Sequence, residues 1–189
     1  MRLVAGVGIN DADYKVSNVD GKGTPCMYHR TWSAMLKRCY NKKWVEENPT
    51  YKDTSVCDEW LIFSNFKEWM MKQDWKGKAL DKDLKGDGSM YSPETCIFIP
   101  SHVNSFFRTF QNRKDECPDG VSRTVSGKYN TTISLFGNRE YLGLFDSKEE
   151  ASAVWLKAKA KNAVILADTI DDLDLKNLIV KSARRYCEI

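Results

Sequence analysis

The strongest periodic signal lies near the front of the chain and is helical. From Tyr28 to Asn41, Trp32, Met35, Leu36 and Cys39 recur at i, i+3, i+4 and i+7, while Arg30, Lys37 and Arg38 take the opposite face. The residues before it, "NVDGKGTPC", are rich in turn formers. Those after it, "KKWVEENPTY", read as a loop, because Pro49 cannot continue a helix. A second helix is predicted where Phe66, Trp69 and Met70 make an apolar stripe behind Ser64 as N-cap. "KALDKDL" alternates, which puts Leu80, Lys82 and Leu84 on one face of a strand and Asp81 and Asp83 on the other. A glycine-containing loop, "KGDGSMYSP", leads to the apolar strand "CIFIP". Pro100 ends that strand, and Ser101 can cap a helix, "HVNSFFRTF", with Asn104 in its first turn. The order is strand, loop, strand, helix.

A polar stretch at residues 111–118 reads as a linker, and beyond it the pattern changes to short alternating strands. Three strands and a helix are predicted. Ser126-Gly127 makes the first turn and Gly137-Asn138 the second. Ser147 and Glu150 form a capping box, and Ala151, Val154, Trp155 and Ala158 give the stripe that packs on the sheet. Alternation turns Tyr129, Thr131, Ile133 and Leu142 toward the helix. Asn130, Thr132, Ser134, Arg139 and Tyr141 face outward, with Ser122, Thr124 and Ser126 on the first strand. The tail from Lys161 reads as two helical segments, the second carrying Leu175, Leu178, Ile179 and Ser182 at helical spacing. Lys181, Arg184 and Arg185 near its end complement the helix C-terminus or touch phosphate. The expected organisation is α+β in two domains, 1–112 and 118–189.

The 189 residues are 42% hydrophobic and 29% charged, a globular balance that excludes disordered and fibrous classes. No run approaches the ~18 apolar residues of a membrane span, and "MRLVAGVGIND" is too short and polar for a signal peptide. Cys26, Cys39, Cys57, Cys96, Cys117 and Cys187 are dispersed, which points to reduced thiols in a cytosol. Cys26 and His29 have a Cys-x-x-His spacing that invites structural zinc together with Cys39, Cys57 and Cys96. No second close pair accompanies them, however, and Cys39 sits on an apolar helical face where free thiols are common. The net charge of +3 permits nucleic-acid binding without arguing for it.

An ordered set of segments adds more. "W..ML.RCYN" (Trp32 to Asn41), "PTY" (Pro49 to Tyr51), "VCDEW..F.NF..WM" (Val56 to Met70), "LDKD" (Leu80 to Asp83) and "YSPETC" (Tyr91 to Cys96) resemble the HNH-type endonucleases of bacteriophages. Many of those are free-standing homing endonucleases. The resemblance covers residues 1–110 and implies a ββα-metal fold. It implies that an Asp on the first strand binds a divalent metal, that a neighbouring His is the general base, that an Asn on the second strand orients the His, and that an Asn or His on the helix completes the metal shell. Carried over, Asp81 is the metal-binding carboxylate and Asn104 the helix ligand, for a metal such as Mg²⁺. Lys82 stands where the His belongs, and Thr95 where the orienting Asn belongs. A lysine amine is protonated at neutral pH and accepts no proton unless burial changes that; otherwise it serves as an electrostatic clamp on phosphate. His102 is a substitute base, although i and i+2 lie on different helix faces.

In the second half, "GV", "GKY.T.I", "YLG.F" and "S.EEA" over residues 119–161 resemble the AP2 DNA-binding domain, a module often joined to an HNH core. That resemblance implies that the outward sheet face lies in the major groove of double-stranded DNA. The contacts would come from Ser122, Thr124, Ser126, Asn130, Thr132, Ser134, Arg139 and Tyr141, with Lys128 on phosphate. Fewer arginines stand on this face than AP2-like domains often carry, and a solvated sheet face has the same polar pattern.

The expected function is metal-dependent hydrolysis of a phosphodiester in duplex DNA, in the cytoplasm of an infected bacterial host. The rival reading is a catalytically inactive DNA-binding protein derived from such a nuclease, a regulator or an antagonist of host or rival phage. A third class is a protein-interaction module that uses the tryptophan-rich first half. Neither the DNA target, nor nick versus double-strand cut, nor the oligomeric state is legible.

Overall fold

Helix α1 (Met27–Tyr40) buries Trp32, Met35, Leu36 and Cys39, the four residues that the periodicity selects. In the computed structural model, which describes residues 3–17, 21–108, 117–184 and 186, the chain divides into two compact units, 1–100 and 101–189. Among the described residues the architecture is α+β, with six α-helices and three small sheets. No helix among them is long and apolar enough to cross a membrane. Most of the expected linker at 111–118 lies outside the described residues.

In the first unit, the stretch expected to be a loop after α1 contains helix α2 (Lys42–Glu47). The Asn41 side chain accepts the Trp44 backbone N–H at 3.0 Å, and this cap starts a helix that apolar periodicity does not reveal. Pro49 still ends it and opens a single 3₁₀ turn, Pro49–Tyr51. Strand β1 (Ser55–Val56) and a second 3₁₀ turn, Asp58–Leu61, precede helix α3 (Phe63–Met71). Ser64 is not the N-cap of α3. Ile62 holds that position, and the Ser64 N–H is taken by the Asp11 carboxylate at 2.9 Å, a partner distant in sequence. The buried stripe of α3 is Phe63, Phe66 and Met70. Trp69, expected in that stripe, is only partly buried and lies between the rings of Trp60 at 4.6 Å and Phe98 at 5.6 Å.

Strands β2 (Lys78–Asp81), β3 (Met90–Tyr91) and β4 (Ile97–Pro100) complete this unit. β3 pairs in parallel with β1, and β2 pairs antiparallel with β4, with Asp81 opposite Ile97 and Lys78 opposite Pro100. The core is aromatic, with Trp32, Trp60, Phe63, Phe66 and Tyr91 fully buried. The Trp32 indole N–H donates to the Trp60 carbonyl at 2.6 Å, which ties α1 to the second 3₁₀ turn and satisfies the one polar atom of a buried ring.

The second unit opens with helix α4 (Ser101–Phe107). Strands β5 (Val121–Arg123), β6 (Tyr129–Leu135) and β7 (Asn138–Phe145) form an antiparallel sheet in the order β5-β6-β7, with a bulge at Thr131/Thr132. The β6–β7 turn sits one residue earlier than Gly137-Asn138. Phe136 and Gly137 are its central pair, at φ 51° and 82°, and Asn138 already pairs with Leu135. Two left-handed residues match the twist of a two-residue hairpin, and here an exposed Phe accepts that conformation.

Helix α5 (Lys148–Asp168) begins at the expected capping box, where the Ser147 hydroxyl accepts the Glu150 N–H at 3.2 Å. Its stripe differs from the expectation. Ala151 is fully buried, but Val154, Trp155 and Ala158 are half-buried. The deeper set is Ala160, Ala163, Leu166 and Ala167, because the second half of α5 packs on helix α6 (Leu173–Arg184). The first predicted tail helix is therefore the continuation of α5. α6 buries Leu175, Ile179 and Ser182 as expected, with Ala183, and leaves Leu178 half-buried. Lys181 and Arg184 stand in its last turn, and Arg185 lies outside the described residues.

Two positions in this unit can be tested. Gly120 has φ 73°, and a Cβ there would stand 1.8 Å from Trp155 Nε1. Gly120→Ala is expected to destabilise the chain by more than about 2 kcal/mol in denaturant unfolding, from overlap and backbone strain together. Lys159 is buried in α5. Its amine donates to the Phe106 carbonyl and sits 3.7 Å from the Phe106 ring centroid. Burial pulls this amine down to about 8, against an upward pull from Asp119. The folded state thus loses the proton near pH 8, while the unfolded chain keeps it until the ordinary lysine range. Stability is expected to rise from about pH 8 toward pH 10.5. The difference in unfolding free energy between the parent and Lys159→Met, measured across that window, should carry this rise.

Candidate functional site

The alternating stretch that suggested a strand through Leu84 stops at Asp81. The Asp81 Oδ1 accepts the backbone N–H groups of Asp83 at 3.1 Å and Leu84 at 2.8 Å, so the chain turns instead of extending. The expected faces change with it. Asp81, Lys82 and Leu84 are all buried, and Asp83 is exposed. Burial raises the Asp81 carboxyl above its ordinary pKa, and the nearby Asp83 adds to this. The N–H groups of Leu84 and Asp83 and the Lys82 amine pull the other way without cancelling it. A buried carboxylate whose charge is under-compensated is the kind of group that a cation would stabilise. Among the described residues no three His, Cys, Asp or Glu side chains gather to hold a metal. Mg²⁺, however, commonly keeps several waters and takes only one or two carboxylates beside substrate phosphate, and Asp81 fits that donor set.

Lys82 is only 5% exposed. Its amine forms an ion pair with Asp83 Oδ1 at 2.6 Å and lies 5.5 Å and 5.7 Å from the ring centroids of Tyr51 and Tyr91. The guanidinium of Arg38 on α1 lies close enough to the Tyr91 and Tyr51 hydroxyls for each to act on it. Tyr91 is buried, which pushes its hydroxyl well above the usual range. Cys39 is pushed up to about 11 by burial, with Lys82 and Arg38 both pulling it back. Arg38 thus belongs to this cluster, which sequence reading missed. The signal was present, since Arg38 falls on the polar face of α1 next to buried Cys39, but only the fold brings Lys82 to it.

Thr95 lies in the turn before β4, and its hydroxyl donates to the Met90 carbonyl at 2.7 Å and accepts the Ser92 N–H at 3.0 Å. This closes the loop between β3 and β4. Gly86 packs directly on it, and a Cβ there would come within 2.9 Å of both Thr95 Cβ and the Lys82 carbonyl. Asn104 and His102 lie on α4 in the second unit, Asn104 half-buried and His102 exposed.

On the sheet, Thr131 and Ile133 are buried and Tyr129 packs on the small core of Cys117, Val121 and Ala151. The outward rows are Ser122 with Asn130, Thr132 with Tyr141, and Ser134 with Arg139. The Ser122 hydroxyl donates to Asn130 Oδ1 at 2.5 Å, and Arg139 donates to Thr132 Oγ1 through two nitrogens, at 3.2 and 3.0 Å. Thr124 and Ser126 are not on the first strand. They lie in the β5–β6 turn, their hydroxyls 2.9 Å apart, because the Thr124 N–H and hydroxyl both close the turn onto the Lys128 carbonyl. Lys128 pairs with Asp146 at 2.8 Å on the surface. Leu144, opposite Asn130, adds an exposed apolar side chain to the outward face that alternation had not selected.

Comparison with family models, curated proteins and solved structures finds no match to this chain.

The role of Asp81 in the turn can be separated from its charge. Asp81→Asn keeps an oxygen acceptor for both backbone N–H groups and should be at least as stable as the parent at neutral pH. Asp81→Ala removes the acceptor and should lose about 1 kcal/mol. Thermal unfolding of the two variants side by side checks this.

Proposed function

We propose that this chain is a phage-type DNA endonuclease of the HNH kind, which hydrolyses a phosphodiester in duplex DNA with a divalent metal such as Mg²⁺ and uses the outward face of β5–β7 to engage its target. The observation that carries the reading is the antiparallel pair of β2 and β4. The connection between them contains β3, which pairs with β1, and the last residue of β2 is a buried and under-compensated carboxylate. With α4 next along the chain, this order supports the ββα-metal reading. Asp81 would hold the metal, which when bound supplies electrophilic stabilisation of the phosphate and lowers the pKa of attacking water. Lys82 and Arg38 supply positive charge in the same unit. On the sheet, the hydroxyls and carboxamide of Ser122, Asn130, Thr132 and Ser134 suit base edges, and Arg139 suits a base edge or a phosphate. With this function the chain would act in the cytoplasm of an infected bacterium.

A second reading has its own observation. The Lys82 amine is held by Asp83, and the Thr95 hydroxyl is held by Met90 and Ser92, so the positions expected to carry a base and its orienting partner are tied into structure. That favours a DNA-binding protein which no longer cleaves.

Supercoiled plasmid incubated with Mg²⁺ or Mn²⁺ at low salt separates the two. The endonuclease reading predicts nicked or linear product from the parent. It also predicts none above background from Asp81→Asn, which should still retard the plasmid. Retarded but uncut DNA from the parent with either metal establishes the second reading.

A further inference from the structure

The cluster around Lys82 is built differently from an ordinary buried ion pair. A buried cation is costly unless fully paired, yet the partner of Lys82 is the adjacent residue, Asp83, whose side chain is 65% exposed. Arg38 is half-buried, and the groups that act on it are Tyr91, Tyr51 and Cys39, none of them a carboxylate. Among the described residues it makes no ion pair with a carboxylate. The two other acids that act on Lys82 are directed elsewhere, Asp81 to the turn amides and Asp87 to Ser89. Gly88 closes over the pair, where a Cβ would stand 2.5 Å from Asp83 Oδ1 and 3.5 Å from Lys82 Nζ. Two cations from distant parts of the chain thus meet at the same two tyrosines, and the carboxylate paired with Lys82 is open to solvent.

We propose that Arg38 and Lys82, framed by Tyr51 and Tyr91, form a binding site for a phosphate group, and that Asp83 is an internal stand-in anion which the phosphate displaces. A guanidinium and an ammonium on one side, with a tyrosine hydroxyl beside them, match the several acceptor oxygens of a phosphate better than they match a single carboxylate oxygen. The site depends on the nuclease reading only for the source of the phosphate, which that reading makes a backbone phosphate of duplex DNA.

The test uses the full chain with inorganic phosphate as the first probe, against chloride at equal ionic strength, read as a shift in melting temperature. Phosphate should raise the melting temperature of the parent, and above Kd the rise should follow the logarithm of phosphate concentration. Asp83→Asn removes the competing anion at an exposed position and should bind phosphate at least threefold more tightly. Arg38→Gln should bind it at least tenfold more weakly. No phosphate response in the parent, or equal responses in the parent and Asp83→Asn, overturns the site. The Asp83 variant alone decides the matter if Arg38→Gln fails to fold. The second probe is a short fluorescent duplex titrated into the same proteins. If its affinity follows the same order, the DNA backbone is the source. If phosphate follows the order and the duplex does not, the cluster stands as a free-phosphate site and its DNA source is overturned. If the duplex binds but the phosphate order fails, the phosphate site falls and the DNA-binding reading stands.

Discussion

One carboxylate oxygen decides the local architecture of the first unit. By accepting the amides of Asp83 and Leu84, Asp81 ends β2, turns the chain and carries Lys82 inward. Without those two hydrogen bonds the alternation of "KALDKDL" would continue, and Lys82 and Asp83 would point to opposite faces of a strand. With them, Lys82 comes to rest over the rings of Tyr51 and Tyr91 and its neighbour's carboxylate closes on it from outside. The same side chain is thus both the cap of a turn and the buried charge that would attract a cation. These two roles use different lone pairs and do not compete.

The rigid frame for this arrangement is aromatic. Trp60, Phe66 and Trp69 contact one another edge-on or tilted, and Trp69 stacks on Phe98 in β4. Trp32 links α1 to the same cluster through its indole N–H. Arg38 is therefore presented by a helix whose buried face is locked, and Lys82 by a strand end whose register with β4 is set by pairing. A charged site on such elements is preorganised and loses little conformational entropy when it binds.

What the sequence made legible was what local periodicity and local capping dictate. The buried face of α1, the capping box of α5 and the inward residues of β6 all follow from spacings of two to four residues. What escaped was set by partners far away in the chain or by side-chain hydrogen bonds that override a pattern. The N–H of Ser64 is claimed by Asp11, 53 residues earlier. Asn41 starts a helix in a segment without an apolar stripe, and Asp81 stops a strand whose alternation continues. The stripe of α5 shifted because its second half answers to α6, which a reading confined to the sheet leaves out. At the site, Asp81 and Lys82 were singled out from a motif, but Arg38 was not, since its proximity to Lys82 through Tyr51 and Tyr91 exists only in the folded chain.

Under the proposed function, the lysine at position 82 has a consequence for mechanism. A histidine base must be able to gain and lose a proton near neutral pH, which requires some exposure and an orienting partner. The position of Lys82 offers the opposite conditions: its amine lies over two aromatic rings and is salt-bridged to Asp83, and the Thr95 hydroxyl is directed to the Met90 carbonyl. Such surroundings hold the amine in place. A fixed charge beside a phosphodiester stabilises the negative charge that builds on phosphorus-bound oxygens, but does not remove a proton from water. Hydrolysis on this scaffold would therefore rely on lowering the pKa of the attacking water, not on a side chain that accepts its proton. Cleavage would then depend on the identity and occupancy of the cation at Asp81 more strongly than on the protonation of any residue in the β2–β4 pair.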